Sequence, residues 1–299
     1  MINHSAGRGD VTEKEATERW NQFESLTADL SQDLCEQLRL ILEPTKAAKL
    51  KGDFRTGKRL NMKRIIPYIA SKFQKDKIWL RRSKPSSRDY QVMIALDDSA
   101  SMSSAECVQM SLEAVAVICG ALSKLEIGRL GVCSFGTDTS LVVPFDEPFT
   151  GVSGARIVRH FAFQDSGTDV IRLLELTRSH FAHSASLHSN QPVSQLLFIV
   201  SDGRGLFIKG VEAVKKAVKE SWDAGVFMVF LIIDKQRGSE SILDVRTPVF
   251  DSSGKLVKIE SYLESFPFPY YVVLRDPIDL PATLADALRQ WIEIVASSS

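Results

Sequence analysis

Carboxylate and hydroxyl side chains alternate where an apolar run ends near residue 97. The run YQVMIALDDSASM, residues 90–102, predicts a buried strand that ends in Asp97, Ser99 and Ser101. Three oxygen-bearing side chains at alternate positions offer hard ligands at the carboxyl end of that strand. Such oxygens suit Mg²⁺, which keeps part of its water and often takes a further ligand from a bound partner. The spacing therefore predicts a divalent metal site.

Two later segments carry residues that can complete this site. Thr168 lies in the sequence SGTD, residues 166–169, and Asp202 follows the apolar run 196–200 and precedes a glycine. In the alternative interpretation, the two serines cap the following helix and Asp202 begins a tight turn. We expect Mg²⁺ as the metal, with Mn²⁺ or Ca²⁺ able to replace it. The predicted metal ligands are Asp97, Ser99, Ser101, Thr168 and Asp202.

The elements that must position these residues alternate between strands and helices. The predicted strands are 90–97, 128–135, 139–144, 194–201, 226–233 and 269–275. The predicted helices are 103–124, 154–162, 169–185, 209–223 and 281–297. This alternation predicts a doubly wound α/β fold whose sheet is mostly parallel, with 139–144 as one antiparallel edge strand. Ligands of such sheets bind beyond the carboxyl ends of the strands, where Asp97 and Asp202 fall.

The chain divides into three predicted parts. Residues 1–50 form an N-terminal helical extension, with a helix over 12–43, and residues 51–89 form a basic strap or linker. Residues 90–299 form the α/β domain, which carries an insertion at about 234–268. That insertion reads as a β-hairpin around an Asp-Ser-Ser-Gly turn. Long insertions in compact domains are often functional, so we expect it to border a ligand or to dock onto another part of a parent protein.

The net charge of zero conceals a strongly uneven distribution of charge. Residues 51–90 contain 13 basic and 3 acidic side chains, whereas residues 91–299 contain 18 basic and 25 acidic ones. The basic segment is compatible with RNA binding or a nuclear address, and equally with a solvated face or a strap on the acidic domain. We expect no secretory signal, no membrane-spanning stretch and four reduced cysteines.

Other chemistries are less well supported by the sequence. Residues 52–58, GDFRTGK, resemble a phosphate-binding loop, but Arg59 stands where a Ser or Thr must contact Mg²⁺. His180 and His183 lie three residues apart on a predicted helix, and no third ligand lies nearby to complete a zinc site. No histidine falls in the three loops that carry the predicted ligands, so a hydrolase lacks an evident general base. We therefore expect a binding module rather than an enzyme.

The three motifs together resemble von Willebrand factor A-type domains that carry a metal-ion-dependent adhesion site. A narrower resemblance is to the midasin family, the dynein-like AAA ATPases of ribosome assembly. It rests on the strings DFRTGKRLNMKRIIPYIASKFQKDKIWLRRSKPS, from residue 53, and ESFPFPYYVVLRD, ending at residue 276. Ser166 departs from the pattern, because many A-type domains have a glycine there.

This resemblance implies a non-enzymatic docking module attached to a parent AAA ring. The implied partners are ubiquitin-like domains of WD-repeat assembly factors on the pre-60S ribosomal particle. These domains supply an acidic side chain to the metal. The implied location is the nucleus, in nucleolus and nucleoplasm, with no membrane partner. Two alternatives remain: an A-domain subunit of a metal-chelatase-like machine, and a Mg²⁺-dependent hydrolase that uses the same carboxylates.

Overall fold

The computed structural model describes residues 11–46, 50–56, 59–82, 89–125, 128–186, 193–234, 241–250 and 256–297. The helices within these ranges are α1 (Glu13–Leu26), α2 (Ala28–Lys46), α3 (Met62–Ala70), α4 (Ala105–Leu125), α5 (Gly151–His160), α6 (Val170–Ser186), α7 (Val211–Asp223) and α8 (Leu280–Ser297). The strands are β1 (Leu50–Phe54), β2 (Arg59–Leu60), β3 (Trp79–Arg82), β4 (Asp89–Asp97), β5 (Gly128–Phe135), β6 (Thr139–Val143), β7 (Val193–Ser201), β8 (Val226–Ile233), β9 (Arg246–Phe250), β10 (Leu256–Ser261) and β11 (Tyr271–Leu274).

A six-stranded sheet lies at the centre of the fold, in the order β11-β8-β7-β4-β5-β6. Strand β4 pairs in parallel with β5 and β7, and β8 pairs in parallel with β7 and β11. At one edge, β6 runs antiparallel to β5. The predicted doubly wound, mostly parallel sheet with one antiparallel edge strand is therefore confirmed, and the predicted strand bounds agree to within two residues.

Both faces of this sheet are covered, which explains the continuous apolar run of β4. Val92, Ile94 and Leu96 point into the core that contains α4 and α8, while Met93 and Ala95 point into the core that contains α6 and α7. A strand buried on both faces has no polar side to expose. The carboxyl end of β4 is therefore a buried position, and any polar group there lies at the edge of two cores.

The N-terminal helices add a further layer outside α4. Residues 12–43 are helical as predicted: the chain divides at Thr27 into two helices, and α2 continues beyond the predicted end to Lys46. Helix α1 packs on α4 and α5, and α2 packs on α4 and α8. Trp20 and Leu34 are fully buried members of the same core as the sheet. These helices therefore share their core with the α/β domain.

The extra layer explains why α4 is apolar over most of its surface. We expected no segment long and apolar enough to span a membrane, yet α4 meets that criterion by length and composition. Within the fold, 72% of the tested window is buried, because the sheet covers one side of the helix and α1 and α2 cover the other. A helix with so much apolar surface is typical of a buried position between two layers of a fold.

The basic segment forms more structure than the predicted strap. Strands β1, β3 and β2 make a small antiparallel sheet, and Asp53 ties it to α3 by accepting hydrogen bonds from Asn61 and Arg64. Gly52 of the phosphate-loop-like sequence lies within strand β1, whereas residues 57–58 of that sequence lie outside the described residues. The predicted linker at residues 85–87 also lies outside them. On α3, the apolar side chains of Met62, Ile66 and Ile69 are exposed.

Candidate metal centre

Asp97 ends strand β4 and its side chain is fully buried. One carboxylate oxygen accepts a hydrogen bond from the Ser99 amide at 2.9 Å, and the other accepts one from the Ser201 hydroxyl at 2.6 Å. Burial raises the pKa of Asp97 to about 7, and the negative charge of Asp202 adds to that rise, against the lowering effect of the hydrogen bonds from Ser201 and Ser99. The carboxylate is therefore held in place by neutral donors beside a second carboxylate.

Ser99 and Ser101 bring their hydroxyls together at the start of the loop that follows β4. Their Oγ atoms are 3.0 Å apart. Ser99 is buried, whereas Ser101 is exposed on a 3-10 turn, Ala100–Met102. Ser99 makes no side-chain hydrogen bond that caps this turn, so the alternative capping role does not apply to it. The pair thus presents two adjacent neutral oxygens beside Asp97.

The loop that carries Thr168 is drawn to this position by main-chain pairing. Asp165 pairs with Ser99 in an isolated parallel β-bridge. The Asp165 carbonyl accepts a hydrogen bond from the Ala100 amide at 2.8 Å, and the Asp165 amide donates one to the Asp98 carbonyl at 3.1 Å. Three residues later, Thr168 is buried. A Cβ on Gly205 would lie 3.8 Å from the Thr168 Oγ1, so this hydroxyl faces the loop after β7.

The structure engages two acidic residues next to the predicted ligands in other contacts. The Asp98 carboxylate is buried and accepts from the amides of Ala162 and Phe163 at 2.9 and 2.5 Å. Phe163 has a φ of 54°, a left-handed conformation that costs energy for a non-glycine residue, so Asp98 stabilises a strained turn. Asp169 forms an ion pair with Lys209. Much of their charge is therefore already compensated.

Asp202 begins the loop after β7 and is nearly buried. Its amide donates to the Met102 Sδ at 3.1 Å, which links this loop to the turn that carries Ser101. Its carboxylate accepts from the Arg204 amide at 3.0 Å. Gly203 follows with a φ of 74°, a left-handed conformation that favours glycine. The predicted tight turn at Asp202-Gly203 is thus present, and it holds the carboxylate at the edge of the sheet beside Asp97.

The insertion supports this loop through residues that we did not single out from the sequence. The Tyr262 hydroxyl donates to the Gly203 carbonyl at 2.6 Å, and burial, followed by the charge of Asp202, raises the pKa of Tyr262. The side chain of Ile242 lies directly against Gly203. At the start of the insertion, buried Asp234 accepts from Ser241 and from Arg275. The sequence indicated this role only through the position of the insertion, which leaves the sheet at the carboxyl ends of its strands.

The hairpin predicted within the insertion is confirmed, because β9 and β10 pair antiparallel. Its predicted Asp-Ser-Ser-Gly turn, residues 251–254, lies outside the described residues. The role expected for the insertion, at a ligand or a parent protein, stays a prediction.

Hydrogen bonds, main-chain pairing and packing thus draw the loops of all five predicted ligands together at one edge of the sheet. Among the described residues, no group of three or more His, Cys, Asp or Glu side chains is placed to hold a metal ion. His180 and His183 both lie on α6. A metal at the sheet edge would therefore depend on the hydroxyl oxygens as well as the two carboxylates.

Sequence comparison relates the chain to curated proteins over nearly its whole length. It is 47% identical over 282 residues to midasin of Dictyostelium discoideum, and 41% identical over 266 residues to midasin of Giardia intestinalis. The chain is homologous to a segment of midasin. These matches cover 94% and 88% of the chain but 5% of each midasin, so the chain spans a small part of its midasin relatives. No family model matches it.

Solved structures with a similar fold are more distant than the midasin relatives. Proximal thread matrix protein 1 from mussel byssus, with a zinc-occupied MIDAS motif, gives a TM-score of 0.47 at 15% identity, and covers 69% of this chain and 48% of that one. Manganese-loaded Plasmodium vivax TRAP protein gives a TM-score of 0.40 at 12% identity, and covers 49% of this chain and 57% of that one. The zinc and the manganese belong to those two proteins.

Proposed function

We propose that this midasin-type chain binds Mg²⁺ and uses it to hold an acidic side chain of a partner protein. The observation that carries the proposal is the 3.0 Å separation of the Ser99 and Ser101 hydroxyl oxygens. Adjacent ligands of an octahedral Mg²⁺ at 2.0–2.1 Å from the ion lie about 2.9 Å apart. Ca²⁺ takes six to eight oxygens at about 2.3–2.6 Å, and in a seven-coordinate arrangement its adjacent ligands also lie about 3 Å apart, so this separation suits either ion.

Charge at the site supports the same proposal. Asp97 is buried beside Asp202, and its own hydrogen-bond donors are the neutral amide of Ser99 and hydroxyl of Ser201. A buried carboxylate next to a like charge is unfavourable unless a cation compensates it. Asp97, Ser99, Ser101, Thr168 and Asp202 would hold that cation, directly or through water. The hydroxyl oxygens of Ser99, Ser101 and Thr168 are neutral and weak donors, so the ion keeps a strong attraction for a carboxylate from a partner as a further ligand.

The midasin relationship supplies the proposed setting. We propose that the chain is part of a ring ATPase of large-subunit ribosome assembly and acts in the nucleus. Its proposed partners are ubiquitin-like domains of WD-repeat assembly factors on the pre-60S particle, which the ATP-driven ring would release by pulling on the metal-bridged contact. In this proposal the chain is a docking module and has no enzymatic activity of its own.

Titration calorimetry of the purified chain with such a ubiquitin-like domain tests the proposal. We expect binding in Mg²⁺ that EDTA abolishes, and at least a tenfold loss of affinity, about 1.4 kcal/mol, in Asp97→Ala and Ser99→Ala. Asp223→Ala is the control, because this exposed carboxylate ends α7 just before β8 begins, at the sheet edge opposite the predicted ligands. An affinity that EDTA leaves unchanged would show that no metal bridge exists.

Two further measurements sharpen this test. After chelation, added Mg²⁺ should restore binding, and separate additions of Mn²⁺ and Ca²⁺ show whether either ion replaces it. A screen for phosphatase and nuclease activity should find no turnover that Asp97→Ala removes. Turnover that depends on Asp97 would contradict the docking proposal and favour the alternative of a Mg²⁺-dependent hydrolase.

A further inference from the structure

A groove opens beside the candidate metal centre, between α1, the start of α4 and the segment that follows α5. Its volume is about 200 Å³. The apolar residues that line it include Phe23, Leu26, Val108, Leu112, Phe161 and Phe163. Most of these side chains are buried in the floor, whereas Leu26 is 69% exposed on the rim. An exposed leucine beside an apolar cavity is a surface that a second molecule can cover.

The groove is continuous with the predicted metal ligands. Ser103 lies on its edge only two residues after Ser101, so the Cα atoms of these serines are at most about 7 Å apart. On the opposite wall, Phe163 donates its amide to Asp98, the residue after Asp97. A protein segment that delivers a carboxylate to the metal would therefore pass over the mouth of the groove within one or two residues.

The size and charge of the groove indicate what it accommodates. Small-molecule sites usually have volumes of about 300–1,000 Å³, so this groove suits one large side chain better than a cofactor. Among the described residues that line it, none is acidic, and Arg19 contributes a positive charge. Residues 91–299 are acidic overall, with 25 acidic against 18 basic side chains, so a positive group here, which Glu15 on the same helix partly offsets, favours an acidic partner.

We propose that the groove binds a large apolar side chain, such as Leu, Ile, Met or Phe, of the same partner whose carboxylate completes the metal site. This inference rests on the proposed metal-dependent docking and adds a second contact to it. The metal selects a carboxylate, and the groove selects the residue beside it. Buried apolar contacts at the centre of an interface commonly contribute more affinity than the polar rim. Specificity among acidic partners would then come from the groove.

Calorimetry with the same ubiquitin-like domain, in Mg²⁺ and in EDTA, tests this inference. Leu26→Glu places a charge on the rim, and we expect it to weaken binding at least tenfold, whereas Leu26→Met should keep affinity within about twofold. Leu40→Glu is the matched control, because Leu40 is 70% exposed on α2 and does not line the groove. Gln109→Glu, on the opposite rim, should also weaken binding by repelling the acidic partner.

The outcomes separate the two proposals. If EDTA abolishes binding while Leu26→Glu and Gln109→Glu bind as the unmodified chain does, the groove inference is wrong and the metal bridge stands. If Leu26→Glu and Leu40→Glu weaken binding equally, the effect is general and the inference also fails. If the unmodified chain binds equally well in EDTA, or does not bind at all, the metal proposal itself fails. Thermal melting by circular dichroism confirms that each variant is folded.

Discussion

Gly154→Ala is expected to destabilise the chain because α1 packs directly on this glycine of α5. A Cβ at position 154 would lie 2.1 Å from the Cε2 atom of the fully buried Trp20 ring. Carbon atoms approach no closer than about 3.5 Å in comfortable contact, so the indole would have to move by about 1.4 Å. Overpacking costs about 1–3 kcal/mol, and the gain in helix propensity returns about 0.5–1 kcal/mol. The expected net loss is about 2 kcal/mol.

Urea denaturation followed by circular dichroism measures this loss. Gly151→Ala is the control, because a Cβ there meets nothing within 4 Å and should change stability by less than about 1 kcal/mol. In a Trp20→Ala background, Gly154→Ala should become neutral or stabilising, which gives a coupling energy of about 2–3 kcal/mol. If Gly154→Ala were as harmless as Gly151→Ala in the unmodified chain, α1 would not occupy this position and one wall of the groove would be misplaced.

Three further outcomes can be checked on the purified chain. Ser31→Ala should raise the free energy of unfolding by about 1 kcal/mol in urea titrations, because the buried Ser31 hydroxyl has no hydrogen-bond partner among the described residues. A lower free energy of unfolding in the variant would mean that the hydroxyl does have a partner. Tyr262→Phe removes the hydrogen bond to Gly203, so it should lower the free energy of unfolding by about 1 kcal/mol. It should also raise the Mg²⁺ concentration needed for half-maximal binding. An unchanged Mg²⁺ dependence would show that the insertion does not support the site. Burial raises the pKa of Cys133 to about 12 and that of Cys119 well above its ordinary value, so both thiols should react with Ellman's reagent only after denaturation. Rapid labelling of the native chain would contradict their burial.

The central sheet was predictable because its strands carry an unambiguous signal. Residues 128–135 and 226–233 are apolar runs of strand length, and the structure forms β5 and β8 with those bounds. The N-terminal helices were predicted, whereas the surface on which they pack was not, although α4 contained a sign of it. A helix with 13 buried residues out of 21 needs cover on more than one side, and the sequence does not say which segment provides the second cover. That information lies in long-range packing such as Trp20 on Gly154.

The site was predictable at the level of its loops and less so at the level of its supports. Alternating oxygens after a buried strand identify Asp97, Ser99 and Ser101 without any knowledge of the fold. Tyr262 and Ile242 reach the Asp202 loop from about 60 and 40 residues further along the chain, and no local pattern marks them. Supports of this kind depend on which segments the fold brings together, so only the three-dimensional structure identifies them.

The adjacent residues Asp97 and Asp98 show how the fold assigns different tasks to identical side chains. Both are buried, but successive residues of a strand point to opposite sides, so they meet different surroundings. Asp98 finds two main-chain amides and holds the strained turn at Phe163. Asp97 finds a neutral amide, a neutral hydroxyl and the like charge of Asp202. An uncompensated carboxylate in such a position is expensive to maintain, and a divalent cation is the ligand that would make it stable. The electrostatic difference between these two neighbours therefore supports assigning the metal to Asp97 and a structural role to Asp98.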